Sequence, residues 1–307
     1  MGRIIVALGG NTLLPMDDET MEGMRGRVRE AAENIAQLAA GDTDLVLTHG
    51  NGPQVGNLML QQEQSDAGPR FPLDVLVAET QAQLGYILQQ ELGNVLEESV
   101  ATVVTQVRVD EHDEAFERPT KPVGPHYTEA EALSRPFQTR QVTKADGRTM
   151  YRRVVPSPDP VEVVEADRIE TLLADGQTVI CAGGGGIPVV RENGVLRGVE
   201  AVIDKDRTTA LVAEDIGATT FLILTDVEAA YTDFGTPEQS PIREATVEEM
   251  RELLADDQFA EGSMRPKIAA AIEFAESQGQ RAIITSAETV DDALAGDAGT
   301  QVLPDNV

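Results

Sequence analysis

Residues 44–57 read DLVLTHGNGPQVGN, a short run of buried-strand character, a glycine-rich turn and the opening of a helix that continues into LMLQQE. The same order occurs at the start of the chain, where RIIVAL (3–8) leads into GGN (9–11) and then an amphipathic stretch over about 19–40. A strand followed by glycines, here without the helix, occurs again where TVICA (178–182) meets the tetraglycine 183–186. Apolar runs of four to eight residues alternating with helical periodicity indicate parallel strands joined by helices, an α/β fold. In such sheets ligands gather at the loops that follow the strands, where these glycines lie.

Working outward, a long helix is expected from about 73 to 98, and VATVVTQVRV (100–109) reads as one β-branched strand. From about 110 to 160 the rhythm breaks. Prolines at 119, 122, 125, 136, 156, 158 and 160, with a hairpin signal in KADGRTMYRRVV (144–155), mark an inserted subdomain or lid. The alternation then resumes with a helix over about 163–174. Asn193-Gly194 inside IPVVRENGVLRGV suits a hairpin turn. A helix follows VIDKD (202–206), then the strand TTFLILT (219–225), helices near 246–255 and 265–278, and the strand RAIITS (281–286).

Composition restricts the chemistry. The 307 residues carry a formal charge of −29, which disfavours nucleic acid and anionic membranes as partners because like charges repel. The acidic residues are spread along the chain, as in DEHDEAFE (110–117) and EEMRELLADD (248–257), so they read as a solvated surface, in the style of proteins from salt-accumulating halophiles. One cysteine, Cys181, excludes an intramolecular disulfide, and three scattered histidines make no zinc site. No apolar run is long enough to span a membrane and no signal peptide is evident, so the expected location is cytoplasmic.

Of 24 basic residues only four are lysine: Lys121, Lys144, Lys205 and Lys267. A lysine ammonium is a compact point charge, unlike the planar guanidinium, and can follow a moving phosphoryl group. Lys205 lies between Asp204 and Asp206 at a helix start. Lys267 lies in GSMRPK (262–267), where a cation opposes the helix dipole and so calls for an anionic ligand. Lys121 lies in the stiff TKPVGP (120–125) of the insertion; Lys144 is assigned to solvent. Glycines 9, 10, 50, 52 and 183–186 allow backbone N–H groups to surround an oxyanion. The P-loop, G-x-G-x-x-G and G-x-S-x-G patterns are absent.

Together VALGGN (6–11), THGNGPQVGN (48–57), TKPVGP, RRVVPSP (152–158), GGGGIPVV (183–190), GVEAVIDKD (198–206) and GSMRPK make the chain resemble the carbamate kinases of the amino-acid kinase superfamily over nearly its whole length. The resemblance implies a three-layer αβα sandwich around an open, mainly parallel sheet of about eight strands, as one domain (1–307). Its carbamate-side lobe would span 1–190, its nucleotide-side lobe 191–307, and its protruding subdomain 110–160. It implies a homodimer and reversible phosphoryl transfer between carbamoyl phosphate and ADP, giving ATP and carbamate, with ATP formed in fermentative arginine degradation. Lys205, Lys267 and Lys121 would meet the phosphates, with Asp206 orienting the lysines. Gly9, Gly10, Asn11, Gly50, Asn51, Gly52, Gly183 and Gly184 would hold the carbamoyl phosphate. Thr225, Asp226, Val227, Tyr231, Met264 and Lys267 would hold the nucleotide, TDVEAAY (225–231) being the looser signal. Magnesium would come with ADP or ATP, held by phosphates and water without a protein cage.

Arg265, where an apolar residue is usual, and Thr12, where Ala is usual, depart from the family pattern at the edges of the site. His49 is read as a strand-end residue that shapes its loop, and Cys181 as a small buried apolar residue. Rival readings are another amino-acid kinase, acting on acetylglutamate or uridylate; an enzyme running toward carbamoyl phosphate synthesis; and a nucleotide-binding protein without catalysis. The TKPVGP insertion argues against the first and the retained lysines against the last.

Overall fold

Strand β1 (Gly2–Leu8) explains the architecture: Ile5 and Ala7 are fully buried on one face, Val6 and Leu8 on the other. A strand with both faces buried needs a layer of helices on each side. The computed structural model describes residues 2–9, 20–39, 43–65, 68–143, 147–260 and 262–305. Its main sheet has eight strands. Beside β1 these are β2 (Thr43–His49), β3 (Val100–Thr102), β4 (Thr178–Ile180), β5 (Thr220–Leu224), β6 (Glu244–Thr246), β7 (Arg281–Thr285) and β8 (Thr300–Leu303). Their order is β6-β8-β7-β5-β1-β2-β4-β3. Neighbours run parallel except β7 and β8, which are antiparallel.

One layer contains α1 (Met21–Ala36) and α3 (Leu73–Gly93), packed on Val6, Leu8, Leu45 and Leu222. The other contains α4 (Ala166–Ala174), α5 (Lys205–Asp215), α6 (Val247–Ala255) and α7 (Met264–Gln278), packed on Ile5, Val46, Phe221 and Ile284. Phe221 and Phe274 meet edge to face at 5.5 Å there. Between α1 and α3 in sequence, α2 (Gly52–Gln64) follows β2 directly. The expected three-layer sandwich with a mainly parallel eight-stranded sheet is the observed fold.

Three boundaries differ from expectation. Residues 100–109 are two strands. β3 stays in the main sheet, while Gln106–Val109 joins a second sheet with 160–163, 187–192 and 195–198. Thr105 makes the break, because its N–H donates to Gln81 Oε1 and its hydroxyl donates to Val103 O and accepts from Ala182 N. Those bonds replace ladder bonds, and the chain changes sheets. Helix α3 ends at Gly93, five residues early, where Asn94 N–H closes on Gln90 O. Residues 160–163 are strand, so α4 starts only at Ala166.

A three-stranded antiparallel sheet (Lys121–Tyr127, Thr139–Thr143, Thr149–Val155) lies within residues 110–160. Its first strand packs on α2, where Gly124, at φ 72°, abuts Met59. Tyr127 donates to Glu63 at 2.5 Å, and the Arg135 guanidinium covers the Tyr127 ring at 4.4 Å while pairing with Glu63. Asn193 and Gly194 both have positive φ, 49° and 83°, as a type I′ hairpin turn requires.

Candidate active site

The parallel strands deliver their C-terminal ends to one place. Gly9 follows β1, and Gly50, following β2, donates its N–H to Leu8 O at 3.0 Å, so the two loops lie side by side. That bond commits the Gly50 amide to the protein and removes it from the donors available to a substrate. Asn51 is the N-cap residue of α2, but its side chain does not cap the helix; it donates to Thr80 Oγ1 at 2.9 Å. Gly10, Asn11, Thr12 and Lys144 lie outside the described residues.

The tetraglycine after β4 is buried, and each glycine removes a specific collision. A Cβ on Gly184 (φ 68°) would stand 2.2 Å from the Asn51 amide, and one on Gly185 (φ 90°) 2.3 Å from Ile203 O. A Cβ on Gly183 would stand 2.5 Å from the His49 ring. Gln81 holds the turn by donating to Gly183 O at 2.9 Å. Here glycine lets β2, α2 and the segment before α5 close on one another.

At the start of α5, Asp204 caps the helix by accepting from Asp206 N at 3.0 Å, and its other oxygen accepts from Lys121 Nζ at 3.0 Å. The inserted sheet is thereby tied to the N-terminus of α5. Asp206 accepts from Lys205 Nζ at 2.5 Å and from Lys267 Nζ at 3.0 Å. Burial alone would raise the Asp206 pKa, but the two ammoniums outweigh it and hold the carboxyl at about 2. Burial pushes the Lys205 ammonium below its usual 10.5; nearby Lys267 adds to the shift and Asp206 opposes it. Two ammoniums, on side chains 11% and 12% exposed, therefore share one buried carboxylate at the N-termini of α5 and α7. That arrangement leaves positive potential for an anion.

Gly9, Asp206, Thr225, Asp226, Ser263 and Lys267 line a polar cleft. Through Thr225, Asp226 and Ser263 it continues into a more apolar pocket walled by Val227, Tyr231, Phe234, Phe259 and Met264. Of the six residues expected at the nucleotide side, Thr225, Asp226, Val227, Tyr231 and Met264 line this pocket, and Lys267 lines the adjoining cleft. Phe234, Gln258 and Phe259 line it as well and escaped the sequence reading. A signal existed for Phe234, one of seven phenylalanines in the chain and 62% exposed beside Tyr231.

Arg265 turns away, donating to Leu254 O and Asp257 Oδ1, both at 3.1 Å. His49 is buried with Nδ1 3.2 Å from Gly50 O, and burial pushes its pKa down to about 4, so the ring is neutral near pH 7. Among the described residues no three His, Cys, Asp or Glu side chains converge as a metal cage. No helix among them is long and apolar enough to cross a membrane.

Comparison with known proteins matches residues 2–286 to the model of the amino acid kinase family. A carbamate kinase of Halobacterium salinarum is 51% identical over 304 residues, covering 99% of each chain. The solved carbamate kinase from Giardia lamblia bound to AMP-PNP superposes with a TM-score of 0.90 at 42% identity, covering 99% of each chain. The UMP kinase from Bacillus anthracis gives a TM-score of 0.55 at 14% identity, a likeness of fold alone.

Proposed function

The chain belongs to the amino acid kinase family and, within it, to the carbamate kinases, phosphotransferases, and we propose that it moves a phosphoryl group between carbamoyl phosphate and ADP through the Lys205–Asp206–Lys267 cluster. The observation that carries this reading is one buried carboxylate holding two ammoniums at the phosphate end of a pocket suited to a nucleoside.

The reaction asks little of acids or bases. A β-phosphate oxygen of ADP attacks phosphorus, the bond from phosphorus to the carbamate oxygen breaks, and carbamate departs as an anion. Nucleophile and leaving group are both already ionic, so no proton moves at the transition state. A neutral, buried His49 is compatible with that chemistry. The protein's contribution is positioning and charge neutralisation. Lys205 and Lys267 meet the oxygens of the transferring group, and Asp206 fixes their ammoniums in place. Lys121 arrives from the inserted sheet, exchanging Asp204 for a phosphate oxygen. Gly9, Asn51 and Gly52 supply backbone at the carbamoyl end, in the 1–190 part of the chain, and the 191–307 part supplies the nucleotide pocket.

Both Asp206 oxygens are engaged by ammoniums, so this site would suit magnesium held by phosphate oxygens and water. Bound there, the ion would supply neutralisation of phosphate charge.

A homodimer, a cytoplasmic location and ATP formation in arginine breakdown complete the reading. The dimer is supported by exposed Tyr86 and Val104, 55% and 47% accessible, which share a shallow concavity beside Asn94 and Thr102. The other two rest on the resemblance. A substrate panel tests the reaction: ATP should form from carbamoyl phosphate and ADP, with no turnover of acetylglutamate or UMP by ATP. Turnover of either of the latter, with none of carbamoyl phosphate, contradicts the reading.

A further inference from the structure

Gln54 is 4% exposed, and both Nε2 and Oε1 are buried without a hydrogen-bond partner. Buried amides are normally paired, because desolvating both ends without compensation is costly. The same region shows what pairing looks like. Gln81, 2% exposed, donates to Thr105 O and Gly183 O and accepts from Thr105 N. Gln81 is satisfied by the fold and Gln54 is left open.

Position makes the orphan informative. Gln54 is in the first turn of α2, three residues after Asn51, and three-residue spacing puts the two on one face of the helix. Helical side chains lean toward the N-terminus, so the Gln54 amide is carried back toward the Gly50–Asn51 turn that ends β2. The helix start beside it has no side-chain cap. The strand beginning at Lys121 packs on the same helix, and Lys121 reaches Asp204.

Resting on the reaction assigned above, we propose that Gln54 recognises the carbamoyl group and makes the enzyme specific for it. A carboxamide offers one donor and one acceptor in a plane. A carbamoyl group offers the complementary acceptor, C=O, and donor, N–H. Gln54 Nε2 donates to the carbamoyl oxygen and Oε1 accepts from the carbamoyl nitrogen, so the ligand completes what the fold leaves unmade. Acetyl phosphate has the same shape and charge but a methyl in place of the NH2, and it leaves Oε1 unsatisfied. Sites built to bond a substrate N–H reject the analogue that lacks it far more strongly than shape alone allows.

The test measures ATP formation by the full chain from ADP with carbamoyl phosphate or acetyl phosphate, for the wild type, Gln54→Leu and Gln54→Met. The wild type should prefer carbamoyl phosphate by at least about tenfold in kcat/KM. Both variants should lose that preference through a higher KM for carbamoyl phosphate, with the KM for ADP unchanged. Their ligand-free melting temperature should hold or rise, since an unpaired buried amide has been removed. An unaltered preference in the variants overturns the inference, as does a lower melting temperature, which would show the amide to be paired within the fold. A wild type that makes ATP from both donors equally overturns it while leaving the reaction standing. A wild type inactive with both overturns the reaction itself.

Discussion

Asp206 and His49 respond to acid in different windows, which makes their burial measurable. The unfolded chain protonates His49 below about pH 6.5, but the folded protein resists until about pH 4, so stability falls as pH drops through that interval. His49→Gln should flatten the slope of melting temperature between pH 6.5 and 4; an unchanged slope would show that His49 is not the buried neutral group. Asp206 works lower. Its folded pKa of about 2 against 3.8 stabilises the protein above pH 4, and this is lost as pH falls through 2. At the alkaline end Lys205 loses its proton before the ordinary lysine range, so kcat/KM should decline there first. The lysines were legible because so few survive in an arginine-dominated chain. Gln54 was not, since an orphaned amide is defined by what surrounds it. The bond from the Gly50 amide to Leu8 O was hidden for a similar reason, since only the fold shows it.

At the level of elements, glycine shows why sequence reading stops where it does. Gly184 and Gly194 both adopt positive φ, 68° and 83°, yet Gly184 is pressed against Asn51 while nothing lies within 4 Å of a Cβ on Gly194. Gly194→Ala should cost about 1 kcal/mol, the strain of the left-handed conformation alone. Gly184→Ala adds overpacking, for a total of about 2–4 kcal/mol, and should also lower turnover by displacing Asn51. Urea midpoints of the two variants decide it, equal losses being the contrary result. The tetraglycine was found from sequence by its place after a strand, but its packing duty was invisible, because its partners come from β2, α2 and the segment before α5. The same limit explains the single strand expected over 100–109. Its β-branched residues run straight through Thr105, and the side-chain bonds that break it come from Gln81 and Ala182.

Across the whole molecule, local periodicity was enough to reveal the layers, since β1, β2, β4 and β5 each carry an apolar run and α2 follows the turn after β2 directly. Strand β6, at one edge of the sheet, and its neighbour β8 are short with few apolar residues, and they went unread. From the charge of −29 we infer that the enzyme is suited to high salt. Molar salt screens surface charge over about 3 Å, so self-repulsion among carboxylates is largely removed there. The melting temperature should rise between 0.1 M and 2 M KCl; a fall would contradict adaptation to salt.

Within that acidic shell the account depends on one cationic cluster. The most direct measurement is steady-state ATP formation from carbamoyl phosphate and ADP, in molar KCl, by the wild type and by Lys205→Arg. The variant keeps its charge and loses the compact ammonium that sits 2.5 Å from Asp206. The expected result is an active wild type and a folded variant slower by about a thousandfold or more. A folded Lys205→Arg protein with turnover near that of the wild type would contradict the central role of the Lys205–Asp206–Lys267 cluster.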